Sequence, residues 1–175
     1  MMKNLIVAGV MSLGIFNASA QTKIGYISTD ELIGVMPEAE RADAELKDYQ
    51  SSLAQQGQDM MKDLGTRDSL FVKDSVKLSP SMKEIKRKEL IDLYQRVQGW
   101  QTQAQEMYQQ KAQEKITPIR AKAMDAIRLV AKENGYSYIF DINAVIVAPP
   151  GDDVLGLVKK KLGIKDAAPA AAPKK

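Results

Sequence analysis

This 175-residue chain contains neither histidine nor cysteine, so carboxylates are the side chains to consider first for catalytic chemistry. A Ser-His-Asp triad, a Cys-His pair and a zinc site with the usual ligands are therefore excluded. Carboxylate chemistry would need paired acids in a pocket that shifts their pKa values. The only acids near predicted strands are Asp141, Asp152 and Asp153. We interpret them as turn and cap residues, so the sequence predicts no enzyme and no cofactor or metal site.

The elements around these acids are short, whereas residues 38–133 read as helix almost throughout. Two apolar seams run along this block at steps of three and four residues, the pattern of helices that pack side by side. The breaker Ser79-Pro80 separates the seams, and Ser81 is the predicted cap of the second helix. We therefore predict an antiparallel helical hairpin arm over residues 38–134, with its tip near residues 76–81 and a length of about 60 Å. In this register Leu53 lies opposite Ala104 or Gln105.

Short β-prone runs enclose the arm at residues 23–27, 138–142 and 145–148. The last two, joined by Asn143-Ala144, are predicted to form a β-hairpin. Segments 21–37 and 135–165 would then form a small β-containing body, with a short helix capped by Asp152. Such a body buries little surface, so the sequence predicts a homo-oligomer. The residues predicted to form this oligomerisation body are Ile24, Tyr26, Ile27, Tyr138, Phe140, Ile142, Val145 and Val147.

The two ends of the chain have compositions of their own. A positive start, an apolar stretch over residues 5–16 and Ala18-Ser19-Ala20 are the three parts of a secretory signal peptide. We interpret residues 1–20 as this signal, cleaved after Ala20, in preference to a buried helix. Residues 166–175 are rich in Ala, Pro and Lys and are predicted to be disordered.

The formal net charge of +3 is too small to predict nucleic-acid binding, but its distribution is uneven. Residues 38–60 contain six acidic and two basic side chains, whereas residues 62–88 contain eight basic and four acidic ones. The start of the arm is therefore negative and its tip positive. A basic tip would attract anionic partners and speed their encounter.

The order of these elements resembles the Skp/OmpH family of periplasmic chaperones. The resemblance rests on Lys-Ile-Gly-Tyr-Ile at residues 23–27, the long charged hairpin, and Tyr-Ile-Phe-Asp-Ile-Asn-Ala-Val at residues 138–145. It implies a jellyfish-like homotrimer with a β-structured hub and three arms around a cavity. Unfolded outer-membrane proteins would be held there without ATP, in the periplasm. Contact with a membrane surface or lipopolysaccharide is implied only for some members, and the tip and tail of this chain differ from the best-known ones.

A holding chaperone needs many weak, adaptable contacts, and off-seam apolar residues near the tip are the candidates for client binding. They are Met61, Leu70, Phe71, Met82 and Ile85. Basic neighbours could draw in acidic clients. They are Lys62, Arg67, Lys73, Lys77, Lys83, Lys86, Arg87 and Lys88. The alternative function is a structural coiled-coil spacer or tether of the cell envelope, which would use the same helices but has no cysteine available for a lipid anchor.

Overall fold

The fold is taken from a computed structural model, which describes residues 22–165; the predicted signal peptide and the predicted disordered tail lie outside them. Within residues 22–165, two strands and four helices follow one another. They are β1 (Ile24–Ile27), α1 (Thr29–Gly34), α2 (Pro37–Asp74), α3 (Pro80–Asn134), β2 (Tyr138–Asp141) and α4 (Leu155–Lys161), with 3-10 turns at Ser75–Lys77, Ile142–Ala144 and Pro150–Asp152. The predicted class, α+β with a long helical arm and little sheet, is confirmed.

Helices α2 and α3 form the arm and run antiparallel. Residue numbers rise along α2 while those of their partners fall along α3, as the ion pairs Glu38–Lys122 and Glu45–Lys115 show. Leu53 lines the same groove as Ala104 and Gln105, in agreement with the predicted register. The 38 residues of α2 correspond to a length of about 57 Å. Helix α3 continues through Pro118 without ending.

Side chains and a glycine define the helix ends. Ser28 Oγ accepts a hydrogen bond from the Glu31 amide at the start of α1. At the tip, Ser79 Oγ accepts from the Met82 amide, so Ser79 and not the predicted Ser81 caps α3. The prediction was wrong because Pro80 fits the first helical position, where no amide hydrogen is needed. Gly135 ends α3 with a left-handed φ of 70°, a conformation that glycine adopts without steric cost.

The sheet consists of β1 and β2, which pair in parallel with Ile24 opposite Tyr138 and Tyr26 opposite Phe140. The predicted β-hairpin over residues 138–148 is wrong. After β2, Asp141 Oδ1 accepts a hydrogen bond from the Asn143 amide at 2.9 Å, and residues Ile142–Ala144 form a 3-10 turn. Such a local bond competes with a strand, and Ala144 is a poor residue for the left-handed half of a tight hairpin turn. No described residue of 145–148 belongs to a strand.

Helix α4 begins at Leu155, and a local turn leads into it, in which Asp153 Oδ1 accepts from the Leu155 amide at 2.8 Å. The prediction of Asp152 as the cap was wrong, because Asp152 belongs to the preceding 3-10 turn. The Val154 amide donates to the carbonyl of Tyr26 at 3.0 Å. This bond fastens the segment before α4 to β1.

The hydrophobic core lies where the base of the arm meets the sheet. β1, α1, the first turns of α2, the last turns of α3 and α4 all contribute to it. The largest fully buried side chains are Ile27, Leu32, Met36, Val130, Val154 and Val158. Full burial of each aliphatic side chain contributes about 1.5–3 kcal/mol, so the core fixes the base while the rest of the arm extends beyond it. Within residues 22–165, none of the helices combines the length and apolar character that a bilayer crossing requires.

Candidate binding surface on the helical arm

An apolar cavity lies at the tip, between the end of α2 and the start of α3. Leu70 and Phe71 line it from α2, Leu90 from α3 and Leu78 from the connection. Charged side chains surround these four. They are Arg67, Asp74, Lys86 and Glu89. The structure therefore brings together Leu70, Phe71, Arg67 and Lys86, four of the residues that the sequence proposed for client binding.

A second groove adjoins this cavity further down the arm and shares Phe71 with it. Met61 and Arg87, both proposed from the sequence, line this groove together with Ile91 and Tyr94. Ile91 and Tyr94 are about half exposed and were missed. Both lie outside the apolar seam of α3, so the criterion that selected Met61 and Leu70 would have found them.

The other proposed apolar residues lie on the outside of the tip. Met82 and Ile85 are exposed but line neither the cavity nor the adjoining groove. Two valines were missed here: Val72 is exposed, and 85% of Val76 is accessible to solvent. Val76 lies in the predicted turn, where no periodicity marks it as apolar surface.

Two of the proposed basic residues have their charge balanced within their own helix. Arg67 donates to both carboxylate oxygens of Asp63 at 2.9 Å, and the hydrogen bond to Asp63 raises the pKa of Arg67. Lys86 pairs with Glu89 at 2.9 Å. The remaining basic candidates have no carboxylate partner among residues 22–165. They are Lys62, Lys73, Lys77, Lys83, Arg87 and Lys88. Their charges are available to an anionic partner.

The residues proposed for the oligomerisation body differ in their exposure to solvent. Ile24, Tyr138 and Phe140 are about half exposed, and the rings of Tyr138 and Phe140 stack with centroids 6.1 Å apart. Alternation along the strands places Tyr26 on the same face. Ile27 is 1% exposed and belongs to the core of this chain, so it cannot contact another copy. Val147 is exposed outside the sheet, whereas Ile142 and Val145 are half-buried.

This arrangement of arm and sheet is shared with known proteins. The family model OmpH, described as outer membrane protein (OmpH-like), matches residues 23–162. This chain belongs to the OmpH-like family. The chaperone protein Skp of Yersinia enterocolitica is 28% identical over 167 residues, which cover 92% of this chain and 99% of that protein. The chaperone protein Skp of Photorhabdus luminescens is 26% identical over 165 residues, with the same coverage.

A solved structure supports the fold independently. The crystal structure of an OmpH-like protein from Caulobacter crescentus CB15 has a TM-score of 0.66 at 17% identity, covering 80% of this chain and 83% of that chain. At this identity the likeness concerns the fold alone.

In this OmpH-like arm the two helices approach closely at Gly57 and Trp100. The indole Nε1 of Trp100 donates to the carbonyl of Leu53 at 3.2 Å, across the hairpin. A Cβ atom on Gly57 would lie 2.6 Å from the same nitrogen, so only glycine leaves room for the ring. Taken alone, Gly57 weakens helix α2 and Trp100 continues the apolar seam of α3. No pattern within either helix reveals that the two touch.

Ion pairs connect the helices at the base of the arm. Hydrogen bonds from Lys122 and Lys115 lower the pKa values of Glu38 and Glu45, respectively. Lys161 of α4 pairs with Glu133 of α3 in the same region. These pairs are exposed, so they align the helices more than they stabilise them.

Acidic residues near the sheet serve structural contacts. Asp141 accepts hydrogen bonds from the amides of Thr29 and Asn143, which lower the pKa of its carboxyl group. Across residues 22–165, no cluster of three or more acidic side chains has the arrangement of a metal site.

Proposed function

We propose that this OmpH-like chain is an ATP-independent chaperone of the periplasm, which holds unfolded outer-membrane proteins and prevents their aggregation. The observation that carries this proposal is the combination, along one arm, of exposed apolar side chains with unpaired cations. The two relatives named above are chaperones, and the family name refers to the outer membrane. The predicted signal peptide supports export to the periplasm.

The chemistry of this surface allows the arm to hold a client without a fixed pocket. Each apolar side chain that a client covers contributes up to about 1.5–3 kcal/mol, and several partial contacts add up to a stable complex. Met61 and Met82 can adapt to different partners because methionine is flexible and polarizable. The unpaired lysines at the tip attract acidic segments without fixing their orientation.

A homotrimer would turn three such arms into the walls of a cavity. The exposed sheet face of Ile24, Tyr138 and Phe140 supports association, because a monomer would leave these side chains in water. Clients inside the cavity would contact several arms at once, and linked contacts strengthen binding beyond that of a single arm.

The experiment is an aggregation assay. A denatured outer-membrane β-barrel is diluted from urea into buffer with or without the purified protein, and light scattering is followed without nucleotide. We expect scattering to fall in proportion to the protein added and to reach a plateau at a fixed stoichiometry. Unchanged scattering at every ratio would contradict the proposal and favour the spacer or tether, which has no need to bind unfolded chains.

A further inference from the structure

A groove without charged side chains lies halfway along the arm, between α2 and α3. Its floor contains Gly57 and Trp100, and Leu53, Met61 and Tyr108 supply further apolar surface. None of the described residues that line it is acidic or basic, although 27% of the chain is charged. On the other flank of α2, the surface around Gln56 contains Asp48 and Asp59. The groove is therefore an uncharged site within a charged arm.

Glutamines form the walls of this groove. Gln50 and Gln58 come from α2, and Gln101 and Gln105 face them from α3. All four are exposed, and no hydrogen bond joins their side chains to any other residue within 22–165. Each amide offers two donor hydrogens and one acceptor oxygen. Two rows of amide donors and acceptors that have no protein partner within residues 22–165 thus flank an apolar floor.

We propose that this glutamine groove, defined by Gln50, Gln58, Gln101 and Gln105, binds the backbone of an extended, uncharged segment of the unfolded client. This inference rests on the proposed chaperone function and assigns it a second site, distinct from the basic tip. An unfolded chain presents an unpaired N–H and C=O group at almost every residue. A primary amide can bind either group, so recognition does not depend on the client's sequence.

Charge complementarity favours an uncharged occupant. A carboxylate or ammonium group in the wall would lose hydration when an apolar segment covered it, and this groove contains neither. An extended segment points alternate side chains to opposite sides. One set can contact Met61, Trp100 and Tyr108, while the backbone reaches the glutamines at the walls.

Trp100 gives this proposal a direct readout, because it is the only tryptophan of the chain. The probe is a tryptophan-free 12-residue peptide with capped ends, in which Val or Leu alternates with Ser or Thr. We expect a saturable shift of Trp100 emission to shorter wavelength as the peptide covers the indole. An identical peptide with alternate backbone nitrogens methylated should bind about tenfold more weakly, since it has lost several donors.

The variant for this test is Gln58→Glu with Gln105→Glu, which replaces amides by carboxylates that cannot donate. We expect its peptide affinity to fall about tenfold. The matched control, Gln56→Glu with Gln103→Glu, introduces the same charges on exposed helix positions outside the groove and should bind like the parent protein. Circular dichroism confirms that both variants are equally helical.

Equal affinities for the two peptides, or for the two variants, would overturn the groove proposal. The aggregation assay separates this result from a failure of the proposed function. A protein that suppresses aggregation but binds both peptides equally is a chaperone whose mid-arm glutamines do not read the backbone. A protein that neither suppresses aggregation nor binds the peptide contradicts both proposals.

Discussion

At the scale of single residues, the contact between Gly57 and Trp100 fixes how the helices of the arm approach. In an exposed helix, replacing glycine by alanine stabilises by about 0.5–1 kcal/mol. Here the added methyl group would collide with the indole, since the nearest ring atoms lie at 2.6 and 2.7 Å. The local preference and the packing therefore act in opposite directions.

We predict that Gly57→Ala lowers the free energy of unfolding by about 1–3 kcal/mol, the usual cost of overpacking. Emission of Trp100 should move to longer wavelength as the ring leaves its site and its hydrogen bond to Leu53 breaks. Gly65→Ala is the control, because nothing lies within 4 Å of a Cβ atom there. It should stabilise the helix and leave the emission unchanged. Equal effects of the two substitutions in urea unfolding would contradict this account.

Asp141 joins the end of β2 to the start of α1, and its contribution depends on pH. Asp141 accepts hydrogen bonds from Thr29 and Asn143, and these lower the pKa of its carboxyl group in the folded state. The bond from Thr29 has the larger effect. The unfolded chain therefore binds the proton more readily, at the ordinary pKa of about 3.9. The stabilisation is fully present above this value and is lost as the pH falls through the lower folded pKa.

We predict that Asp141→Asn costs about 1 kcal/mol at pH 7, because an amide has a single acceptor oxygen and can keep only one of the two hydrogen bonds that the carboxylate accepts. The variant should also lose less stability than the parent protein between pH 5 and pH 2. Asp152→Asn is the control, because no hydrogen bond involves that side chain within the described part of the chain. Urea unfolding at several pH values measures both effects. If the free energy of unfolding changed with pH in the same way for Asp141→Asn and the parent, these hydrogen bonds would not contribute to the pH dependence of stability.

At the scale of the elements, six of the eight basic residues proposed at the arm tip have no carboxylate partner among residues 22–165. We predict that Lys77→Glu with Lys83→Glu weakens client capture several-fold at low salt and makes capture less sensitive to salt. Lys47→Glu with Arg120→Glu changes the charge equally near the base of the arm and should affect capture less. Capture is measured from light scattering at increasing NaCl concentration. Equal losses in the two variants would indicate that net charge matters and the tip does not.

The sequence predicts the arm well because helices that pack against each other need a repeated apolar pattern within each helix. The seam through Ala39, Ala42 and Leu53 repeats within a few turns, and these three residues are buried. The exposed Met61 and Leu70 were found by their departure from that pattern. The contact of Gly57 with Trp100 and the glutamine groove join distant parts of the chain, so neither helix reveals them alone.

The prediction of a β-hairpin over residues 138–148 was wrong for the same reason: the contact that decides the structure joins distant parts of the chain. Alternation of β-prone residues indicates strands but not their partners. Here β2 pairs with β1, which precedes the entire arm, and the bond from the Asn143 amide to Asp141 turns the following segment away. A pattern of neighbouring residues favours the nearby hairpin, because it contains no information about pairing with a distant strand.

At the scale of the whole molecule, the exposed sheet face bears on assembly. We predict that the parent protein has the mass of three chains and that Tyr138→Ser with Phe140→Ser shifts it toward the monomer. These rings are 57% and 46% exposed in the single chain, so their removal should cost the monomer little. Ile91→Ser with Tyr94→Ser removes similar apolar area from the arm and should preserve the mass. Size-exclusion chromatography with light scattering decides between these outcomes. A parent protein with the mass of one chain would contradict the trimer.

The parallel pairing of β1 with β2 has a consequence for the order of folding. β1 and its partner strand β2 are separated along the chain by helices of 38 and 55 residues. Closing so long a loop in a disordered chain is slow, because the chain must lose conformational entropy before the contacts between the strands can form. Two helices that zip together from Ser79 carry the distant strands toward each other. Zipping of the hairpin would then limit the folding rate, and the small sheet would form last.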